Sequence, residues 1–138
     1  MTRAELEILL KRYVAEARPG DYVVVDCGDC FVQSALNDDI MTVEARGGLG
    51  QDLLRKIDDL FAGYRLGGHG SGDIDAGCVS LAFSPGDSAI AEAMTRALDL
   101  IASATGQPLR LSDGDGAFMP RRKGFLGLGG YGPIVDPE

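Results

Sequence analysis

The stretch DYVVVDCGDCFVQSALNDDIMTVEAR, residues 21–46, decides the fold of this chain. Three runs of β-branched, aromatic and apolar residues alternate in it with two polar turns, CGDC and NDD. Such runs favour strands, whereas Gly, Asn and Asp favour turns. We therefore predict an antiparallel meander whose strands cover residues 22–26, 31–36 and 40–45.

The third of these strands shows which side of the sheet is buried. Met41, Val43 and Ala45 fall on one face, and Thr42 and Glu44 fall on the other. This alternation is typical of a sheet with one buried side and one solvent-facing side. Helices elsewhere in the chain are expected to cover the buried side.

Three amphipathic helices are predicted around the meander. Thr2 and Glu5 form a capping box that starts the first helix. A second apolar stripe at helical spacing covers residues 51–63, and a third begins after Asp87 or Ser88, either of which suits an N-cap. One core is expected to contain Leu10, Met41, Val43, Ile57, Phe61, Met94 and Leu98.

Together with a fourth strand at residues 78–83, these elements predict an α+β fold. Its order is helix, three-strand meander, helix, strand, helix, with three helices packed on one face of a mostly antiparallel sheet. The glycine-rich residues 67–73 are expected to hold no regular structure, and residues 107–111 suit a short extended segment. We divide the chain into an α+β domain, 1–112, and a Gly-rich C-terminal tail, 113–138.

Charge and hydropathy narrow the classes of partner. The net charge of −8, from 21 acidic and 13 basic residues, repels nucleic-acid phosphate and favours a basic partner. No apolar run approaches the roughly 20 residues that a membrane span needs. The first residues suit a charged helix rather than a signal peptide. We expect a cytoplasmic protein that binds neither nucleic acid nor membrane.

The sequence contains few residues that could act in catalysis or bind a metal. His69 is the only histidine and the three cysteines are Cys27, Cys30 and Cys78, so neither a catalytic triad nor a paired zinc site is indicated. Asp113 and Asp115 resemble the start of a calcium loop, but its twelfth position is a glycine. We expect no enzymatic activity, no cofactor and no metal.

The CGDC motif at residues 27–30 has the spacing of a redox CxxC pair. A redox pair normally obtains its thiolate from the start of a helix, whereas this motif lies between two predicted strands. We therefore expect a plain hairpin turn with small, partly buried thiols. A thiol redox protein using Cys27 and Cys30 stays open as a less favoured alternative.

The tail contains the predicted partner-binding residues. Arg121, Arg122 and Lys123 form the basic cluster of an acidic protein, and apolar side chains follow among glycines. Exposed apolar patches usually mark interfaces. The candidate site comprises Arg121, Arg122, Lys123, Phe125, Leu126 and Tyr131. They are expected to dock on their own domain or on a second copy, which makes a homodimer possible.

The order of elements resembles the type III secretion chaperone-like fold, especially the bacterial TY-Chap and YbjN-like domains. Residues 29–33, DCFVQ, resemble the family's second strand, and 41–45, MTVEA, resemble its third. Residues 60–64, LFAGY, resemble the end of its second helix, with Tyr64 where Trp is common, and 83–87, FSPGD, resemble the entry to its last helix.

This resemblance implies a non-enzymatic protein, often dimeric, that binds extended segments of a partner polypeptide. The partner would be a secreted substrate whose apolar side chains are buried on an exposed sheet or helix face, with charge setting partner choice. An immunity-type protein that neutralises a toxin is the alternative, because acidic charge suits a basic nuclease.

Overall fold

The computed structural model describes residues 2–64, 72–73, 77–111, 121–123 and 131–133. Its elements, in chain order, are α1 Arg3–Glu16, β1 Tyr22–Cys27, β2 Cys30–Asn37, β3 Ile40–Gly47, α2 Gln51–Ala62, β4 Gly72–Asp73, β5 Cys78–Phe83, α3 Ala89–Thr105, β6 Leu109–Leu111, β7 Arg121–Lys123 and β8 Tyr131–Pro133.

Local hydrogen bonds fix where the helices begin. The backbone N–H of Glu5 donates to Thr2 Oγ1 at 3.2 Å, and the Thr2 N–H donates to Glu5 Oε2 at 3.0 Å, so the predicted capping box of α1 is confirmed. Ahead of α3, Asp87 Oδ1 accepts from the Ala89 N–H at 2.9 Å. Gly106 ends α3 in the left-handed conformation, with φ of 69°.

One antiparallel sheet organises the domain, with the strand order β4-β5-β3-β2-β1-β6. The three strands of the meander are neighbours, and each of its hairpins turns through two residues, since Cys27 faces Cys30 and Asn37 faces Ile40. The predicted α+β order, with its antiparallel meander and three helices, is confirmed.

The core lies between this sheet and the helices. Alternate strand residues, such as Val23, Val25 and Val32, are buried in one cluster with the apolar stripes of α1, α2 and α3. The helices therefore cover a single face, as the alternation predicts. All seven predicted core residues belong to the cluster, each with an exposed fraction of 0%.

A glycine allows the end of β3 to approach the first hairpin. Gly47 has φ of 111°, and a Cβ at this position would overlap the carbonyl oxygen of Asp29. The N–H of Gly48 donates to that same oxygen at 3.2 Å. A side chain at position 47 would therefore separate the β1–β2 turn from the start of the β3–α2 connection.

The described residues include four strands of only two or three residues, β4, β6, β7 and β8, whose pairing the sequence does not predict. Residues 67–73 were expected to hold no regular structure, yet Gly72 and Asp73 pair with Val79 and Cys78 as β4, which corrects that expectation for these two residues. β6 pairs with β1, and in the tail β7 pairs with β8. Strands of two or three residues are too short for an alternation to be read from sequence.

Candidate functional site

The face of the sheet opposite the helices, called here the outer face, is a surface not used by the described core. Most of its side chains are half-buried, although they point away from α1, α2 and α3. Its members are Tyr22, Val24, Asp26, Phe31, Gln33, Ala35, Thr42, Glu44, Arg46, Cys78, Ser80, Ala82 and Arg110.

Register places these side chains in rows across the strands. The row nearest the β1–β2 turn contains Arg110, Asp26, Phe31, Arg46 and Cys78, in that order. An aromatic side chain thus lies between an acidic and a basic residue. Neighbouring side chains on one face of an antiparallel pair are close enough to contact one bound group.

The outer face divides into an apolar half and a polar half. Tyr22, Val24, Phe31 and Ala35, on the adjacent strands β1 and β2, form the apolar half, and Asp26 and Gln33 lie among them. The strands β3 and β5 contribute mostly polar or small side chains. A bound segment would therefore find its apolar contacts over β1 and β2.

Glu44 is the centre of a polar cluster on β2, β3 and β5. Its carboxylate is ion-paired with Arg46, and Oε1 accepts from the Cys78 thiol at 3.2 Å. The Gln33 amide donates to Oε2 at 3.5 Å. Burial raises the pKa of Cys78, and the Glu44 carboxylate raises it further. The thiol therefore stays protonated at neutral pH, where it can donate to Glu44.

The CGDC motif forms the two-residue turn of the β1–β2 hairpin, as predicted. Cys27 and Cys30 have exposed fractions of 0% and 3%, so they are more deeply buried than expected. Burial raises the pKa of Cys30, and the neighbouring Cys27 and Asp29 raise it further. Thiol pKa values are lowered at the start of a helix, whereas this motif lies at a β-turn.

The predicted partner-binding residues fall partly within the described tail. Arg121, Arg122 and Lys123 form β7, and Tyr131 begins β8, where it is the register partner of Lys123. Pairing of these strands brings the basic cluster and Tyr131 together along the backbone. Phe125 and Leu126 lie outside the described residues, as do His69, Asp113 and Asp115. Partner binding by the tail stays a prediction.

Sequence reasoning missed Tyr22, Val24 and Phe31 as candidate binding residues. The signal was present in β1, where Val23 and Val25 fill the core while Tyr22 and Val24 place apolar groups on the opposite side. When both alternating sets of side chains in a strand are apolar, the strand presents an apolar surface on each face of the sheet. The face away from the core then also carries apolar surface that a partner can cover. Phe31 continues this second surface on β2.

In the part of the chain that the structure describes, no group of three or more His, Cys, Asp or Glu side chains comes together in a metal-binding arrangement. Within the same residues, every helix is too short or too polar to cross a bilayer.

No protein-family model, no curated protein and no solved structure matched the chain. The resemblance to the type III secretion chaperone-like fold therefore stays a prediction from sequence. At the level of architecture, the chain is an α+β protein with three helices on one face of an antiparallel sheet.

Proposed function

We propose that this protein is a non-enzymatic binding module with a chaperone-like fold, which holds a partner polypeptide on the outer face of its sheet. The observation that carries the proposal is the apolar half of that face. Tyr22 and Val24 follow one another on this face of β1, and Phe31 lies on β2 diagonally from Val24, on the side of the sheet away from all three helices. Apolar surface of this kind gains stability when a partner removes it from water.

The polar half would orient the partner. Exposed polar groups beside an apolar patch add specificity, because a wrongly placed partner leaves them unpaired. Glu44 and Arg46 of this half form a connected group with Gln33 of β2, which a partner backbone could enter. This binding would take place in the cytoplasm, and the partner would be a secreted polypeptide kept in a bound state before export.

A second candidate function is supported by charge. With a net charge of −8, the protein would associate quickly with a basic toxin such as a nuclease, and bound protein would block the toxin's active site. The two functions differ in the partner. A toxin would lose its activity on binding, whereas an export substrate would be released intact.

The test is capture of a partner by the full chain and by matched variants. Phe31→Asp puts a charge into the apolar half of the outer face, and Ile8→Asp puts the same charge on α1, where Ile8 is 62% exposed. We expect the tagged wild-type chain and Ile8→Asp to retain the same specific protein from a lysate of the source cells, and Phe31→Asp to lose it.

Both variants must first show the circular dichroism and melting temperature of a folded protein. Retention of the partner by Phe31→Asp, or its loss from both variants, would show that the outer face does not hold the partner. An assay of the captured protein's nuclease activity, free and bound, separates the toxin from the export substrate.

A further inference from the structure

We infer that Cys27 and Cys30 are a reversible disulfide site, which joins the two strands of the first hairpin under oxidising conditions. The two cysteines flank the Gly28–Asp29 turn, and each is the register partner of the other. Both have free thiols on the core side of the sheet, whereas the third cysteine, Cys78, lies on the outer face. The fold therefore selects one pair from the three cysteines of the chain.

Strand pairing brings the two cysteines within the range of a disulfide. Directly opposite residues of an antiparallel pair have Cα atoms about 4.5–5.5 Å apart, and a disulfide joins Cα atoms about 4.4–6.8 Å apart. Their Cβ atoms lie about 4.5–5.5 Å apart, whereas a disulfide prefers about 3.5–4.5 Å. The bond would therefore pull the strands together beside the turn. Strain of this kind makes a disulfide easier to reduce, so the bond would be reversible.

In the reduced protein, the Cys27 thiol links the hairpin to the connection between α3 and β6. The thiol donates to the Gln107 carbonyl at 3.3 Å, and its sulfur lies 3.6 Å from Thr105 Oγ1. The Gln107 side chain also packs on the turn, since a Cβ added at Gly28 would lie 2.7 Å from Gln107 Cγ. Oxidation removes the S–H donor of Cys27, so the hydrogen bond to the Gln107 carbonyl is lost.

The short strand β6 is the element that this loss would affect. Its three residues pair with β1, and Leu109 is the register partner of Cys27 itself. Gly106, Gln107 and Pro108, which precede it, are exposed and contribute little to the core. Segments with few buried contacts open locally at a low cost in free energy. Oxidation of the cysteine pair should therefore increase local opening of the α3–β6 connection.

The oxidant would be a low-molecular-weight disulfide such as oxidised glutathione. The thiolate of one cysteine attacks this disulfide, which forms a mixed disulfide and releases one glutathione thiolate. The thiolate of the second cysteine then attacks the protein sulfur of the mixed disulfide and releases the other glutathione. One S–S bond replaces two S–H bonds of the protein, and the two glutathione thiolates take up the two protons.

Exchange at this site is expected to be slow. Cys27 and Cys30 have exposed fractions of 0% and 3%, so the oxidant reaches them only when the end of the hairpin opens. Burial raises the pKa of Cys30, and Cys27 and Asp29 raise it further, so little thiolate is present at neutral pH. The extent of disulfide formation must therefore be measured at equilibrium.

Intact-mass spectrometry of folded Cys78→Ser protein in glutathione redox buffers tests the site. As the fraction of oxidised glutathione rises, we expect a product that is lighter by two hydrogens. Peptide mapping should place both losses in the peptide that contains residues 27–30, and excess reduced glutathione should restore the starting mass. The double variants Cys27→Ser/Cys78→Ser and Cys30→Ser/Cys78→Ser are the matched controls, and neither should lose two hydrogens.

Amide hydrogen exchange of the reduced and oxidised Cys78→Ser protein provides a second measurement. Amides of residues 105–111 should exchange about fivefold faster in the oxidised form, as loss of one neutral hydrogen bond predicts. Amides of α2, which lies away from the first hairpin in the chain, are the internal control and should exchange equally in both forms.

Three results would overturn the inference. If the protein stays fully reduced at equilibrium with oxidised glutathione, even in urea just below its unfolding midpoint, the hairpin cannot form the bond. Glutathione adducts without loss of two hydrogens would show that each thiol reacts alone. Equal exchange of residues 105–111 in the reduced and oxidised forms would show that the Cys27 thiol does not hold the α3–β6 connection.

Discussion

Tyr13 and Ser34 form a polar contact inside the core. The Tyr13 hydroxyl lies 3.0 Å from Ser34 Oγ, and both side chains have an exposed fraction of 0%. The contact joins α1 to β2, two elements far apart in sequence. A buried hydroxyl without a hydrogen-bond partner lowers the stability of the folded state by about 1–3 kcal/mol. Each of these two hydroxyls provides the hydrogen-bond partner of the other.

The same contact predicts how stability depends on alkaline pH. Burial raises the pKa of Tyr13 from 10.0 to about 12; the Ser34 hydrogen bond lowers this pKa, and the charge of Asp21 raises it. The folded protein therefore holds this proton more tightly than the unfolded chain does. Its contribution, roughly 2–3 kcal/mol, is complete below about pH 10 and is lost as the pH rises to about 12.

Urea unfolding at several pH values between about 9 and 12 measures this loss. In Tyr13→Phe no phenol titrates at this position, so the free energy of unfolding should fall less steeply over the same range than in the wild type. Tyr22→Phe is a matched control, because Tyr22 is only half-buried on the outer face. Equal slopes for all three proteins would contradict the predicted role of Tyr13.

The two hairpin cysteines are predicted to be dispensable for partner binding. Cys27 and Cys30 lie on the core side of the sheet, and the Cys27 thiol donates to the carbonyl of Gln107 at 3.3 Å. Replacing both with Ser should lower the melting temperature, because two hydroxyls enter the core. Partner capture below that temperature should be unchanged.

Loss of partner binding by a folded Cys27→Ser/Cys30→Ser protein would contradict the interpretation of CGDC as a turn. So would stoichiometric zinc in the purified wild-type protein. A variant with Cys78→Ser alone serves as the control, since Cys78 lies on the outer face beside Glu44.

At the scale of elements, α2 shows how one helix is held against the sheet. Leu54, Ile57 and Phe61 are its buried stripe, and the residues between them are mostly charged. Beyond its end, the Tyr64 ring packs edge-on against Phe83, with centroids 6.4 Å apart. A 12-residue helix is marginal in water on its own, so these contacts maintain it.

Phe61→Ala is therefore expected to destabilise the protein by about 3–5 kcal/mol, as truncation of a fully buried Phe usually does. Equilibrium denaturant melts measure the change. Asp59→Ala, on the exposed side of the same helix, is the control and should change stability by about 0.5 kcal/mol or less. A loss below about 1 kcal/mol for Phe61→Ala would mean that the core closes over the gap.

Long periodic elements were predictable from sequence because their patterns repeat. The stripe of α2 and the alternation of β3 each extend over enough residues to fix both the element and its buried face. The pairings of β4 and β6 were not predictable, since two or three residues carry no period and their partners lie elsewhere in the chain.

The outer face was harder to find than the core for a related reason. Tyr22 and Val24 look like ordinary strand residues until register places them beside Phe31 and Ala35 on β2. The sequence points instead to the tail, where apolar residues stand out among glycines. Composition therefore identifies an unusual segment, whereas a binding surface made by several ordinary strands requires the pairing of those strands.

At the scale of the whole molecule, the two faces of the sheet differ. The helices bury most of one face, and the other carries an apolar half with carboxylates near its ends. This asymmetry leaves apolar area outside the core of a highly charged protein. Charge favours solubility of such a protein, and in the proposed function the apolar half would provide the affinity for the bound partner.

The tail from residue 118 onwards is a second segment whose apolar residues stand out, in this case from the sequence. Its apolar side chains lie among glycines and follow three cations, although the whole protein has a net charge of −8. Segments that do not pack are usually polar. Phe125, Leu126 and Tyr131 are therefore predicted to pack on the acidic body, either of their own domain or of a second copy.

Deleting residues 118–138 distinguishes these two cases. If the tail packs on its own domain, the deletion should expose apolar surface and lower both solubility and melting temperature. If it packs on a second copy, light scattering should show a dimer become a monomer. A full-length variant with Phe125, Leu126 and Tyr131 changed to Ser is the control, because it removes the apolar side chains and keeps the cations of β7. If mass, solubility and melting temperature are unchanged in both proteins, the tail packs on neither surface.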